Sequence, residues 1–167
     1  MIEIYTGDGK GKTTAAVGLA VRAKSRGLKV LFAQFMKSDS GGETELLASL
    51  GIAIRRFPEV ASPLFHPELE IADLRRKAKH AMEQIAPVLG AYDLVILDEF
   101  INVCRRLELG EDDVKTFLDA RPPQVELVLT GRDAPEYLIE CADLVTEMRA
   151  VRHFFEKGVK ARRGIEF

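Results

Sequence analysis

A chain of 167 residues suits one domain, spanning 1–167, with one substantial core, and its 47% hydrophobic residues are enough to bury both faces of a sheet. Its 24 basic and 26 acidic residues leave a formal net charge of -2, without the basic surplus of a nucleic-acid binder. There is no signal peptide and no apolar run of spanning length, which predicts a cytoplasmic protein with no membrane partner; the two cysteines, Cys104 and Cys141, make neither a metal spacing nor a disulfide framework.

In chain order, the first strand is expected over 2–5, followed by a glycine-rich loop and a helix running to about Arg26, with Gly27 as its C-cap. A second strand is expected over 29–35, a short helix over 43–50 after Gly41-Gly42, and a third strand over 52–57. Residues 58–67 read as an irregular loop. The stretch 68–89 carries a helical stripe at Leu74, Ala78, Ala81, Ile85 and Val88, with Pro87 marking its end. An apolar run over 92–97 predicts a buried strand. A helix over 111–120 has acidic residues in its first turn, where they favour the dipole. Another buried strand is expected over 125–130, a short helix over 134–141 and a last parallel strand over 143–148. In the tail, 151–167, "EKGVK" reads as a turn between two short strands.

Strands alternating with helices imply an α/β fold with a mostly parallel central sheet and helices on both faces. Ligands then belong at the carboxyl ends of the strands. The chemically notable residues fall there: Thr6 to Thr14, Gln34 to Lys37, Asp98-Glu99 and Thr130-Gly131-Arg132.

The loop "YTGDGKGKTT" resembles a phosphate-binding P-loop, except that Thr6 stands where the pattern G-x-x-x-x-G-K-[ST] has its first glycine. Gly7, Gly9 and Gly11 let the backbone turn tightly and aim N–H groups inward, and the helix adds its own unsatisfied donors. Together with Asp8 and Thr14 they form a nest for a polyphosphate. Lys12 supplies a cation to phosphate oxygens, Lys10 a second one, and Thr13 a hydroxyl for Mg²⁺. Asp98-Glu99 closes an apolar strand, the place of the carboxylate that holds the metal or its water. Either one fits that role, and in a hydrolase Glu99 would be the base that activates water. Arg132 follows a buried strand, where it can meet charge that grows as a phosphate bond breaks. Lys37 and Glu43 flank "SDSGG", a loop suited to closing over a ligand. None of the three histidines has a second His or a Cys at i+3 or i+4; His66, between Phe65 and Pro67, is placed to touch a flat ligand. The basic cluster Lys157, Lys160, Arg162, Arg163 reads as a solvated face.

The stretches "YTGDGKGKTTAAVGLAVRAKSRGLKVLFAQFMK", "DLVILDE", "ELVLTGR", "ADLVTEMR" and "VRHFFEKGVKARRGIEF" resemble, in order, the ATP:corrinoid adenosyltransferases. Residues 51–91 carry little of the likeness. The resemblance implies a three-layer P-loop NTPase fold of RecA-like type. Its loop pattern, T-G-x-G-K-G-K-T-T, makes Thr6 the family's own residue. It implies ATP and a corrinoid such as cob(I)alamin as substrates, with Mg²⁺ or Mn²⁺, ATP lying reversed relative to ordinary P-loop enzymes, and triphosphate as leaving group. It also implies a homodimer and a flavoprotein reductase that delivers Co(I). Lys12, Glu99 and Arg132 would be the catalytic residues; Thr13 with Asp98 or Glu99 would hold the metal.

The chain departs from the family in two places. Where members carry an aromatic "G-F-T-W"-like segment, this chain has "FPEVASPLFHP", so Phe57, Phe65 and His66 are the expected corrinoid-facing residues. The helix that precedes the first strand in many members has no counterpart before Ile2. Two other readings share the loop: an ATPase giving ADP and phosphate, and an ATP-binding regulator without turnover.

Overall fold

The computed structural model describes residues 1–37, 42–154 and 158–165. Six strands form one sheet: β1 (Ile2–Thr6), β2 (Val30–Phe35), β3 (Ala53–Phe57), β4 (Leu94–Asp98), β5 (Glu126–Thr130) and β6 (Leu144–Glu147). Their order is β3-β2-β4-β5-β1-β6, and every pairing is parallel. The helices are α1 (Lys12–Ser25), α2 (Gly42–Ser49), α3 (Ile71–Ile85), α4 (Phe100–Arg106), α5 (Glu111–Asp119) and α6 (Glu136–Cys141). This is the expected three-layer α/β architecture, with a sheet that is wholly rather than mostly parallel.

Alternation along each strand sorts the core into two layers. Val30 and Phe32 of β2 and Leu94 and Ile96 of β4 pack with Ala16, Ala20 and Ala23 of α1 and Leu47 of α2. Leu31, Ala33 and Phe35 point the other way, onto Leu74, Ala78 and Ile85 of α3, the α4 residues Phe100 to Cys104, and Val114 and Phe117 of α5. β2 and β4 are buried at every position, as strands covered on both faces must be. The alanines of α1 recur every three or four residues and bring that helix close to the sheet. β6 is an edge strand and exposed throughout.

The structure shortens α3, which gives way at Ile85 to a 3-10 segment, Ala86–Ala91, where Pro87 lacks the amide to continue an α-helix. It adds α4, which the pattern along the sequence did not suggest. Its residues from Phe100 to Cys104 are all buried, so no polar face marks the helical period. The tail differs from expectation: residues 151–154 and 158–165 contain no strand, while Glu156 and Lys157 of "EKGVK" lie outside the described residues. Among the described residues no helix is long and apolar enough to cross a membrane.

Candidate active site

The loop after β1 turns through Gly7 (φ 97°) and Gly11 (φ 125°), both in the region that side chains disfavour. A second constraint acts on Gly7 and Gly9. A Cβ there would lie 2.4 Å and 2.6 Å, respectively, from the carbonyl oxygen of Met148. The segment that leaves β6 therefore crosses directly against the loop. Gly9 N–H donates to Met148 O (2.7 Å), Met148 N–H to Thr6 O (2.8 Å) and Ala150 N–H to Asp8 Oδ1 (3.1 Å). The Ala150 amide holds the exposed Asp8 carboxyl below its usual pKa.

Thr6 is buried, and its Oγ1 accepts the Ala134 N–H at 3.1 Å. Its side chain thus ties the loop to the β5–α6 connection, while the left-handed turn falls to Gly7. Lys12 is 9% exposed and donates to the carbonyls of Gly7 and Gly9, both at 2.7 Å. Burial, and then the nearby Arg132 cation, push its pKa down. Arg132 also lowers the pKa of Asp8, which places its charge beside the loop. Thr14 and Lys10 are exposed.

Asp98, at the end of β4, is fully buried. Its Oδ1 accepts from Thr13 Oγ1 (2.8 Å) and Thr130 Oγ1 (2.7 Å). Its Oδ2 accepts from Gln34 Nε2 (3.2 Å) and pairs with Lys37 Nζ (3.2 Å). The start of α1 and the carboxyl ends of β2, β4 and β5 thus meet at one carboxylate. Burial opposes the charge on Lys37, but Asp98 and Glu43 outweigh it and raise its pKa. Lys37 also pairs with Glu43 at 3.4 Å, so the two ends of "SDSGG" meet, while residues 38–41 between them lie outside the described residues.

Glu99 sits in the left-handed region at φ 66°, a conformation that costs on the order of 1 kcal/mol for a residue with a side chain. Its N–H donates to Thr130 Oγ1 at 2.9 Å. Burial, and then the Asp98 charge, push its pKa up. Asn102 of α4 donates to Glu99 Oε2 and accepts the Arg132 N–H at 2.9 Å. This bridge between the acid pair and the "TGR" loop was missed in the sequence because α4 was missed. Gly131 allows it: a Cβ there would lie 2.6 Å from Ile101 Cβ.

The expected aromatic residues separate. Phe57 is 3% exposed and stacks on Phe35 with ring centroids 5.0 Å apart, so it belongs to the core and does not face a ligand. Its register opposite Phe35 in the β2–β3 pair directs it inward. Phe65 is 74% exposed, next to the exposed Leu64, on the loop that follows the carboxyl end of β3. His66 Nδ1 pairs with Glu68 at 3.2 Å.

A nucleotide loop joined to a strand-end acid, with the "TGR" loop at its side, is the arrangement that the sequence likeness required. The pattern of the family ATP:corrinoid adenosyltransferase BtuR/CobO/CobP matches residues 1–167. The chain belongs to this family. The corrinoid adenosyltransferase of Escherichia coli (strain K12) is 37% identical over 172 residues, covering 100% of this chain and 85% of that protein. The corrinoid adenosyltransferase of Pseudomonas aeruginosa (strain PAO1) is 38% identical, covering 98% of this chain and 82% of its own length. Corrinoid adenosyltransferase CobA of Salmonella typhimurium (strain LT2) is 35% identical, with 100% and 85% covered.

Among the described residues no group of three or more His, Cys, Asp and Glu side chains is placed to hold a metal. The donors present suit a hard cation that takes most of its ligands from phosphate and water. Thr13 Oγ1 donates its hydrogen bond to Asp98, which leaves its oxygen lone pairs for a cation. Gln34 Oε1, buried beside Asp98, has no hydrogen-bond partner among the described residues and can accept from a metal-bound water.

Proposed function

We propose that this chain transfers the 5′-deoxyadenosyl group of ATP to the Co(I) of a corrinoid and releases triphosphate, as a step in forming an adenosylated cobalamin coenzyme. The observation that supports this most is the Thr13–Asp98 contact, which joins the loop to the acid strand in a chain matched end to end by the family. Co(I) brings both electrons of the new Co–C bond. The bond from C5′ to the α-phosphate oxygen breaks, and its electron pair leaves on triphosphate. No proton moves, so no protein base is needed.

The protein's work is therefore position and charge. Lys12 leaves the Gly7 and Gly9 carbonyls for phosphate oxygens, aided by the amides from Gly11 to Thr14. Arg132, beside the loop, adds a further cation. Mg²⁺ or Mn²⁺ would be held by Thr13 Oγ1, with Asp98 acting behind Thr13 and Glu99 steadied by Asn102, and would supply positive charge to the departing triphosphate. Phe65, with His66 beside it, offers an apolar face to the corrinoid. We read the protein as a cytoplasmic homodimer served by a flavoprotein reductase.

The test is to add cob(I)alamin and MgATP to the protein without oxygen and follow the corrinoid spectrum. A light-sensitive adenosylcorrinoid, formed only with protein and ATP present, supports the proposal. Oxidation to cob(II)alamin at the same rate with and without protein refutes it.

A further inference from the structure

The backbone that carries Arg132 is held from two sides. β1 fixes both ends of the turn: Gly131 N–H donates to Tyr5 O at 3.2 Å, and Ala134 N–H to Thr6 Oγ1 at 3.1 Å. Between them α4 makes two contacts from residues three apart, which share a face of the helix. Asn102 Oδ1 accepts the Arg132 N–H at 2.9 Å, and Arg105 pairs with Asp133. The Arg132 side chain is exposed, and its charge is felt at Lys12 and Asp8 of the phosphate loop. What α4 fixes is therefore the base from which this cation reaches the loop.

The two α4 contacts differ in weight. Arg105 and Asp133 are both exposed, and such a pair contributes little. Asn102 is buried, so both ends of its carboxamide need partners. Its nitrogen donates to Glu99 Oε2, an acceptor, while its oxygen meets the Arg132 N–H, a donor. Turned over, the amide would set donor against donor and acceptor against acceptor. Glu99 thus selects the one orientation of Asn102 that can hold Arg132. Glu99 is placed independently, through its own N–H on Thr130 Oγ1 at 2.9 Å.

We infer that Asn102 is the positioning residue for Arg132, with Glu99 orienting its carboxamide, so that one relay sets the acid pair and the cation together. The inference rests on the proposed adenosyl transfer, in which Arg132 meets the charge that grows on the departing triphosphate. Glu99 then has a task apart from any contact with a metal. The relay acts on the chemical step, since Asn102 makes no hydrogen bond to the phosphate loop.

The experiment is a double-mutant cycle of N102A and R132Q. It reads kcat for adenosylcorrinoid formation at saturating MgATP and cob(I)alamin, with KM for ATP alongside. N102A alone should lower kcat about tenfold and change KM for ATP by less than about twofold, as loss of an orienting group behind the site does. In the R132Q background the same change should cost no more than about twofold further, because what Asn102 positions is already gone. If N102A melts near the assay temperature, N102S, which keeps a small polar side chain, takes its place in the cycle. Equal losses in the two backgrounds would make Asn102 a packing residue and overturn the inference, as would a wild-type kcat in N102A. Product analysis separates this from the reaction itself. Adenosylcorrinoid from wild type with equal losses removes the relay alone, whereas ADP and phosphate as products remove the adenosyl-transfer reading on which it rests.

Discussion

Thr13 Oγ1 donates to Asp98 Oδ1 at 2.8 Å, across 85 positions of sequence. This contact sets the distance between the phosphate loop and the acid strand. It also turns the Thr13 lone pairs outward. Thr13→Val keeps the shape but removes the hydroxyl, and should lower turnover about 10²-fold, as loss of a metal-orienting group does. Lys12→Ala should lower it at least about 10²-fold by removing charge from the leaving group, with the fold retained by circular dichroism. Turnover near wild type in either variant would remove that residue from the reaction.

Lys37 makes a different prediction. Its ammonium lies 3.2 Å from Asp98 Oδ2, so a divalent ion drawn to Asp98 competes with it. Lys37→Met should tighten the binding of Mn²⁺ alone roughly fivefold, ~1 kcal/mol, the upper range for a partly exposed pair. Paramagnetic resonance of free Mn²⁺ reads this without nucleotide or corrinoid. An unchanged affinity would mean that Lys37 and the ion occupy separate places.

The contact between the loop and the segment after β6 can be tested through glycines. Gly7 has φ 97°, and its Cβ would meet Met148 O at 2.4 Å, backbone against backbone. Gly7→Ala should cost at least ~2 kcal/mol, seen as a lower Tm. Gly18 lies within α1 with nothing inside 4 Å of its Cβ position. Gly18→Ala should raise stability by ~0.5–1 kcal/mol, or roughly 2 °C in Tm. Equal effects at the two sites would contradict the crossing described here.

Phe57 and Phe65 separate core from site. Phe57→Ala removes a ring packed on Phe35 and should cost ~3 kcal/mol, lowering Tm by roughly 5–10 °C. Phe65→Ala should leave Tm unchanged, since the side chain is exposed, and raise KM for corrinoid more than KM for ATP. A large loss of Tm at Phe65 would assign it to packing.

Much of the fold was legible because buried parallel strands such as β4 are short apolar runs between turns, and because Leu74, Ala78, Ala81 and Ile85 repeat with a helical period. The nucleotide loop was legible because its spacing is local. What escaped depends on distant partners. α4 is buried along one unbroken stretch and shows no period, so Asn102 went unnoticed together with its bridge from Glu99 to Arg132. Nothing local says that Met148 will lie against Gly7 and Gly9. Phe57 was placed at the corrinoid from its nearness in sequence to Phe65, yet its register opposite Phe35 sends it into the core.

The central claim is that the loop grips a leaving group of three phosphates. ³¹P magnetic resonance of the products formed from MgATP and cob(I)alamin without oxygen tests it most directly. Inorganic triphosphate equal in amount to the adenosylcorrinoid is the predicted result. ADP and orthophosphate would contradict it, and would make Glu99 the base of a hydrolase.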